Sequence, residues 1–239
     1  MAKFRLPGSD DRVVILGSTG SGKTVFGVQL LATLDYKIRP TYVLDIKRDP
    51  LLARLPAREI VLSSNPPTAP GLYVIRPRIS KTLQDDLEAF FWALYEQENC
   101  ILYVDEGTMI SAHNHGFRAL LTQGRSKNIE MITLSQRPGK LLGEVFSEAT
   151  FFAVFNLTKY SDRKIVADWL PDELYTANTR LARYRCIWYD VAEGWGTELL
   201  PAPAPDVILQ RFNLPEDDEL NTEPQGSGSG KPGKVVHFI

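Results

Sequence analysis

A glycine-rich segment between a short apolar run and a helical pattern constrains this chain more than any other feature. Residues 17–24 read Gly-Ser-Thr-Gly-Ser-Gly-Lys-Thr and match the pattern G-x-x-x-x-G-K-[ST] in full. The apolar run 13–16 precedes the segment, and an apolar-periodic stretch, 23–34, follows it. In this strand–loop–helix setting, backbone N–H groups and the helix N-terminus point at negative charge, so the pattern predicts a phosphate site. The predicted phosphate-binding residues are Gly17, Ser18, Thr19, Gly20, Ser21, Gly22, Lys23 and Thr24.

Two side chains of this segment point to a nucleotide. Lys23 is placed to hold the β- and γ-phosphate oxygens of ATP, and Thr24 is placed to ligate Mg²⁺. A glycine-rich turn that merely precedes a helix would leave Lys23 without a role. The sequence therefore predicts nucleotide binding, with ATP and Mg²⁺ as the cofactors.

An acidic pair ends a second apolar run. Residues 100–104 read Cys-Ile-Leu-Tyr-Val, and Asp105 and Glu106 follow. Asp105 is predicted to hold Mg²⁺ through water at the carboxyl end of the strand. Glu106 is predicted to orient or deprotonate the water that attacks the γ-phosphate, which is the chemistry of a hydrolase. An ordinary acidic turn is a fair alternative for an isolated pair, but a poor one beside a phosphate-binding loop.

A polar side chain ends a third apolar run, residues 129–134. Gln136 follows that run, and its amide can hydrogen-bond the γ-phosphate or the attacking water. Pro138 ends the strand and fixes the loop after it. Without the two earlier motifs, a polar strand end would be the simpler interpretation.

Apolar, β-branched runs alternate with helical patterns through the body of the chain. Several runs lack polar alternation, as strands covered on both faces require. The alternation predicts an α/β fold, a mostly parallel twisted sheet with helices on both faces and ligands at the carboxyl ends of the strands. A later hairpin is predicted to extend the sheet at one edge. The predicted strands are 13–16, 41–45, 72–75, 101–104, 129–134 and 151–155, the helices are 23–34, 81–98, 117–123 and 162–169, and the hairpin pairs 183–191 with 195–200.

Length and composition favour one globular domain with a tail. The 239 residues suffice for a single core, and the hydrophobic and charged fractions, 44% and 23%, are those of globular proteins. Residues 1–212 are predicted to form the nucleotide-binding domain. Residues 213–239 begin acidic, turn Gly/Ser-rich and end in the apolar run 235–239. They are predicted to form a flexible tether whose apolar end is a frayed terminus, with docking of that end on a neighbouring subunit's sheet edge or on a capsid or membrane-embedded vertex protein as the alternative.

The sequence has no feature typical of export or membrane insertion. No run approaches the roughly 18 apolar residues of a spanning helix, and the first residues contain no apolar signal segment. Cys100 and Cys186 lie inside apolar runs without metal-ligand spacing, so buried reduced thiols are predicted. The net charge of −2 neither supports nor excludes a nucleic-acid partner. A cytoplasmic protein is expected.

The motifs GSTGSGKT, LYVDEG and GRSKNIEMITLSQRP, in this order, resemble those of the HerA/FtsK superfamily of DNA-pumping ATPases, and especially its small viral genome-packaging members. The resemblance covers residues 12–170 and implies a RecA-like P-loop NTPase fold with the sensor strand between the P-loop strand and the Asp105 strand. It also implies a homo-oligomeric ring that translocates double-stranded DNA, without sequence preference, into a preformed capsid. The host cytoplasm or the virion is then the expected location, and a capsid vertex protein is an expected partner.

The same resemblance implies roles for further residues. Asp45-Ile46-Lys47 corresponds to a D-x-K element after the second strand, and Gln136 belongs to the Q-R-P sensor. Arg125, after Gly124, is the preferred arginine finger acting on a neighbour's nucleotide, with Arg137 and Arg163 as competitors. Such a finger requires an oligomer. Candidate contacts to DNA phosphates are Lys47, Arg48, Arg76, Arg78, Lys81 and Lys127.

Other nucleotide-dependent functions fit the residues less well. A signalling GTPase would need D-x-x-G after the acidic strand, but Gly107 comes one residue early. A small-molecule kinase needs no Gln136 sensor and usually has an arginine-rich lid that is not evident here. Within the superfamily, conjugation coupling proteins and filamentous-phage assembly ATPases remain the alternatives, although these usually carry a membrane segment.

Overall fold

A nine-stranded sheet forms the centre of the protein, whose computed structural model describes residues 5–212. The strand order is β3-β4-β2-β5-β6-β1-β7-β8-β9. The first seven strands are parallel, and β8 and β9 add an antiparallel hairpin at one edge. The strands are β1 (Arg12–Leu16), β2 (Pro40–Leu44), β3 (Arg58–Ile60), β4 (Gly71–Ile75), β5 (Cys100–Asp105), β6 (Ile129–Ser135), β7 (Phe151–Phe155), β8 (Cys186–Asp190) and β9 (Trp195–Leu199).

Helices cover both faces of this sheet, as strands without polar alternation require. Side chains of β1 show the division, because Val14 and Leu16 belong to one core and Val13 and Ile15 to the other. Helices α2 to α5 contribute to the first core, and α1 and α7 to the second. The helices are α1 (Lys23–Leu31), α2 (Leu83–Gln97), α3 (His115–Gln123), α4 (Gly143–Ser147), α5 (Tyr160–Ala167), α6 (Asp172–Asn178) and α7 (Pro205–Arg211).

The predicted α/β class, the six predicted strands and the edge hairpin are confirmed. β6 lies between β1 and β5, as the resemblance implies. Helix α1 is shorter than predicted, because the Thr33 backbone N–H and hydroxyl both donate to the Leu30 carbonyl, at 2.9 and 2.7 Å, and tighten the last turn. The short elements β3, α4, α6 and α7 were not predicted, since three to seven residues are too few for a periodic pattern.

The register of the three central strands brings the predicted motifs to one edge. Leu16 pairs with Ser135, and Asp105 pairs with Leu134, so β1, β5 and β6 end in the same layer. The Gly17 N–H donates to the Ser135 carbonyl at 3.2 Å. The glycine-rich loop, the acidic pair and the Gln136 loop therefore meet at the carboxyl edge of the sheet.

No helix within residues 5–212 is long and apolar enough to cross a membrane. The predicted tether 213–239, with its apolar end 235–239, lies outside the described residues.

The crossing of α2 and α3 depends on a glycine. A Cβ on Gly116 would lie 2.9 Å from the Glu88 carbonyl oxygen, 3.0 Å from the Phe91 Cβ and 3.2 Å from the Trp92 nitrogen. Two of these are backbone atoms of α2, which cannot rotate away. The two helices therefore approach each other only because residue 116 has no side chain.

We expect Gly116→Ala to lower the free energy of unfolding by about 1–3 kcal/mol, because α2 and α3 must separate to admit the methyl group. Gly143→Ala is the matched control, since a Cβ at this helical glycine meets no atom within 4 Å. Urea unfolding measures both. Similar midpoints for the two variants would contradict the close packing of α2 on α3.

Candidate nucleotide site

The loop 17–22 leaves β1 and enters α1 through two residues in left-handed backbone conformation. Gly20 has a φ of 74° and Gly22 a φ of 101°, where a side chain would be strained. The loop is fixed from outside by the segment after β7. The Ser18 N–H donates to the Asn156 carbonyl at 3.1 Å, and the Thr158 N–H donates to Ser18 Oγ at 3.0 Å. The loop therefore has the backbone shape that a phosphate cradle requires.

A cleft of about 430 Å³ opens between this loop and the carboxyl ends of β2, β5 and β6. It brings together the predicted Lys23, Thr24, Asp105, Glu106 and Gln136. Its lining consists of Thr19, Gly20, Gly22, Lys23, Thr24, Val25, Lys47, Arg48, Asp49, Pro50, Asp105, Glu106, Gln136 and Tyr184.

Lys23 lies at the base of the cleft and is only 6% exposed. Burial lowers the pKa of its ammonium group, while the charges of Asp105 and Glu106 act in the opposite direction. A buried cation at the start of a helix, with backbone N–H groups around it, is suited to bind a phosphate. This environment is consistent with the prediction that Lys23 binds the β- and γ-phosphates.

Asp105 and Thr24 line the same cleft, and both side chains carry oxygen atoms. Burial, together with the charges of Asp49 and Asp45, raises the pKa of Asp105 to about 7. A carboxyl group held at this electrostatic cost fits a nearby cation, which would relieve the repulsion. Hydroxyl and carboxylate oxygens are also the ligand type that Mg²⁺ prefers, so these residues fit that ion.

Glu106 follows β5 in a left-handed conformation, with φ 84° and ψ 76°, and its side chain is 4% exposed. Its carboxylate accepts hydrogen bonds from Lys47 Nζ at 2.6 Å, Thr108 Oγ1 at 2.7 Å and Ser135 Oγ at 2.9 Å. Burial alone would raise its pKa, but these hydrogen bonds together lower it below the ordinary value. The left-handed backbone is thus held by a network that keeps the carboxylate ionised.

The sequence named Lys47 as part of the D-x-K element and as a DNA contact, but did not predict its place beside Glu106. The structure places it in the cleft, paired with Glu106. Asp45 fixes this segment, since its carboxylate accepts from the Asp49 N–H at 2.8 Å and pairs with Arg76 Nε at 2.9 Å. The available signal was the position of the lysine just after a central parallel strand.

Gln136 connects the glycine-rich loop to Glu106. Its side-chain Oε1 accepts from Thr19 Oγ1 at 2.7 Å, and its backbone N–H lies 3.3 Å from both carboxylate oxygens of Glu106. Ser135 Oγ, which donates to Glu106, also accepts from the Arg137 N–H at 3.0 Å. A change at the cleft can therefore be transmitted to the loop after β6.

Arg125 does not lie in the cleft. It belongs to a 3₁₀ turn before β6, at the amino edge of the sheet, about 20 Å from the carboxyl edge of the same chain. Its side chain is 61% exposed and pairs with Asp10 at 3.1 Å. Arg163 donates to the carbonyls of Leu157 and Thr158 in its own chain, at 3.2 and 3.1 Å.

Four of the six candidate DNA contacts are engaged within the chain, one of them being Arg48, which donates to the Arg76 carbonyl at 3.3 Å. Lys47 pairs with Glu106, and Lys127 pairs with Glu98 and lies 4.5 Å from the Tyr95 ring centroid. Arg76 binds the carboxylates of Asp45 and Glu59 and the carbonyl of Leu52. Arg78 and Lys81 are exposed in the loop after β4.

A parallel sheet whose central strand runs into a glycine-rich loop, a buried lysine and a facing acidic pair defines a P-loop NTPase. No protein-family model matches the chain. The chain is 36% identical over 218 residues to the DNA packaging ATPase P9 of Enterobacteria phage PRD1, and the match covers 88% of this chain and 96% of the relative. The chain therefore belongs to the family of viral DNA-packaging ATPases, and the predicted assignment to that type is confirmed.

Solved structures agree on the fold. The genome packaging NTPase B204 from Sulfolobus turreted icosahedral virus 2, in complex with AMPPCP, superimposes with a TM-score of 0.67 at 18% identity, over 82% of this chain and 100% of that chain. The pCW3 conjugation coupling protein TcpA, with ATPγS, superimposes with a TM-score of 0.52 at 15% identity, over 84% of this chain and 65% of that chain.

Replacing Lys47, the cation that pairs with Glu106, should destabilise the protein when it is measured without nucleotide. We expect Lys47→Met to lower the free energy of unfolding by about 1–3 kcal/mol, because a buried carboxylate loses its partner. Urea unfolding is the measurement. Lys81→Met, at an exposed lysine, is the control and should change stability by less than about 0.5 kcal/mol.

A second substitution separates the charge from the packing. Lys47→Met combined with Glu106→Gln should be more stable than Lys47→Met alone, because the amide needs no counter-charge. Wild-type stability of Lys47→Met would mean that the ion pair contributes nothing to the fold.

Proposed function

We propose that this chain is an ATP-hydrolysing motor that translocates double-stranded DNA into a preformed viral capsid. The observation that carries the proposal is the convergence of Lys23, Asp105, Glu106 and Gln136 in one cleft of a chain from this family. The relative from phage PRD1 matches nearly the full length of the chain. The DNA-transfer alternative is supported by fold similarity alone.

The residues of the cleft are suited to separate roles in binding ATP and in hydrolysing it. Lys23 and the N–H groups of the loop 17–22 bind the β- and γ-phosphates, and Thr24 and Asp105 would hold Mg²⁺. Bound Mg²⁺ would neutralise charge on the phosphate oxygens. Glu106 orients or deprotonates the attacking water, and Gln136 hydrogen-bonds that water or the γ-phosphate.

Glu106 needs a change of partner before it can act. Its carboxylate accepts hydrogen bonds from Lys47, Thr108 and Ser135, which makes it a weak base. Lys47 lines the cleft, and its side chain is 35% exposed. We infer that the γ-phosphate, as the stronger anion, draws Lys47 away and frees one carboxylate oxygen for water. Hydrolysis then begins only after the triphosphate is fully seated.

The position of Arg125 supports action on a neighbouring subunit. The residue lies at the edge opposite its own cleft, and its ion pair with Asp10 joins two exposed side chains, so the pair is easily exchanged. Arg163 is engaged with carbonyls of its own chain. Subunits that pack head to tail would bring the Arg125 edge of one to the cleft of the next, and such an arrangement forms a ring when the rotation between subunits closes.

DNA is proposed to contact the loop 76–82 after β4. Arg78 and Lys81 are exposed there, and Arg48 lies close by, with Nη2 at 3.3 Å from the Arg76 carbonyl. Such contacts go to phosphates and tolerate any sequence, as a packaging motor requires. A capsid vertex protein as docking partner, and a location in the host cytoplasm or on the virion, complete the proposal.

Binding and hydrolysis should separate in two variants. Glu106→Gln should retain ATP with affinity within about threefold of wild type but hydrolyse it at least about 100-fold more slowly, because the base is lost and the shape is kept. Lys23→Ala is the comparison and should lose ATP binding itself. Calorimetry measures the affinity, and phosphate release measures the rate. Wild-type turnover in Glu106→Gln would exclude Glu106 as the residue that activates water.

Complementation between variants tests the trans arginine. Arg125→Ala alone should bind ATP and lose turnover. In an equal random mixture with Glu106→Gln, about a quarter of the interfaces pair an intact Glu106 with an intact Arg125, so up to about a quarter of wild-type activity should return. Arg54→Ala, which breaks an exposed ion pair with Asp206, is the control and should keep full turnover. Absence of rescue in subunits shown to co-assemble would exclude Arg125 as the finger.

A further inference from the structure

An aromatic side chain lines the cleft beside the glycine-rich loop. Tyr184 lies in the segment 179–185 between α6 and β8. Because β8 runs antiparallel to β7, the start of β8 lies at the same edge as the end of β7 and the glycine-rich loop. The structure therefore brings a late part of the chain to the first nucleotide-binding motif.

The Tyr184 ring packs directly beside the glycine-rich loop. A Cβ on Gly22 would lie 3.3 Å from Tyr184 Cδ1 and 3.7 Å from Tyr184 Cβ. The residue is 43% exposed and belongs to neither hydrophobic core. Among the residues 5–212 that line the cleft, Tyr184 is the one with an aromatic ring. Its side chain is thus available to a ligand rather than used for packing.

One face of the ring is already covered by a cation. The Arg183 guanidinium carbon lies 4.6 Å from the Tyr184 ring centroid, which is a cation–π distance. The Tyr184 backbone has a φ of 67°, a left-handed conformation that sets the direction in which the ring leaves the chain. The segment thus presents a ring that is supported on one side.

We propose that Tyr184 is the platform on which the nucleobase of the bound triphosphate stacks, with Arg183 supporting the ring. The inference rests on the proposed function, because the phosphates must first occupy the loop at Lys23. From there the nucleoside extends past Gly22 along the cleft to Tyr184. An aromatic face accepts any base, so this contact adds affinity without choosing between adenine and guanine.

The test compares ligands with and without a base. Tyr184→Ala should weaken binding of ATP and of GTP by at least about fivefold in calorimetry, while binding of inorganic tripolyphosphate stays within about twofold of wild type. Tyr184→Phe should retain ATP affinity, because the ring remains. Tyr160→Ala is the matched control, since Tyr160 is a 63% exposed tyrosine with Arg163 and Lys164 near its ring and lies outside the cleft.

These measurements distinguish the stacking role of Tyr184 from nucleotide binding by the cleft as a whole. Unchanged ATP affinity in Tyr184→Ala, or an equal loss of ATP and tripolyphosphate, would overturn the stacking role; the second result would assign Tyr184 to shaping the glycine-rich loop. Failure of the wild-type protein to bind either ligand would overturn the nucleotide site itself.

Discussion

Burial of charge at the carboxyl edge of the sheet is the constraint on which the site depends. Lys23, Asp105 and Glu106 are each at most 6% exposed. Burying an ionised group costs free energy unless neighbouring charges and hydrogen bonds replace the water it loses. The parallel register of β1, β5 and β6 brings these opposite charges together. The negative charge of Asp105 is poorly compensated by its neighbours, as the raised pKa of its carboxyl group shows. The pKa of Glu106 is instead lowered, because hydrogen bonds stabilise its carboxylate. The fold therefore holds these charged groups in place, but it compensates the charge of Asp105 only in part.

The contrast between the two adjacent carboxylates follows from one backbone feature. Strand β5 ends at Asp105, and the left-handed turn at Glu106 points the next side chain toward β6 and Lys47. Neighbouring residues thus acquire opposite electrostatic environments. The same turn lets Glu106 accept hydrogen bonds from Ser135 and from the Gln136 N–H. The end of β5 is therefore hydrogen-bonded to the end of β6 through side chains as well as through the sheet.

The sequence motifs predicted the central strands and most of the cleft, because phosphate chemistry restricts residue type and spacing within short segments. The pairing of Lys47 with Glu106 and the place of Tyr184 in the cleft could not be found in this way. The Lys47–Glu106 contact spans 59 residues and exists only because β2 lies beside β5, and Tyr184 reaches the cleft through an antiparallel strand at the other side of β1. Short elements such as β3 and α6 were missed for a related reason, since tertiary packing and not a periodic pattern stabilises them.

The polarity of the parallel sheet has a consequence for assembly. Each subunit has its cleft at one edge of the sheet and Arg125 at the other. Under the proposed action of Arg125 on a neighbouring subunit, an open row would have one fewer complete cleft than it has members, because the last cleft would lack an arginine donor. Closing the row into a ring would add one contact and complete that cleft, so the full rate of hydrolysis would require a closed ring.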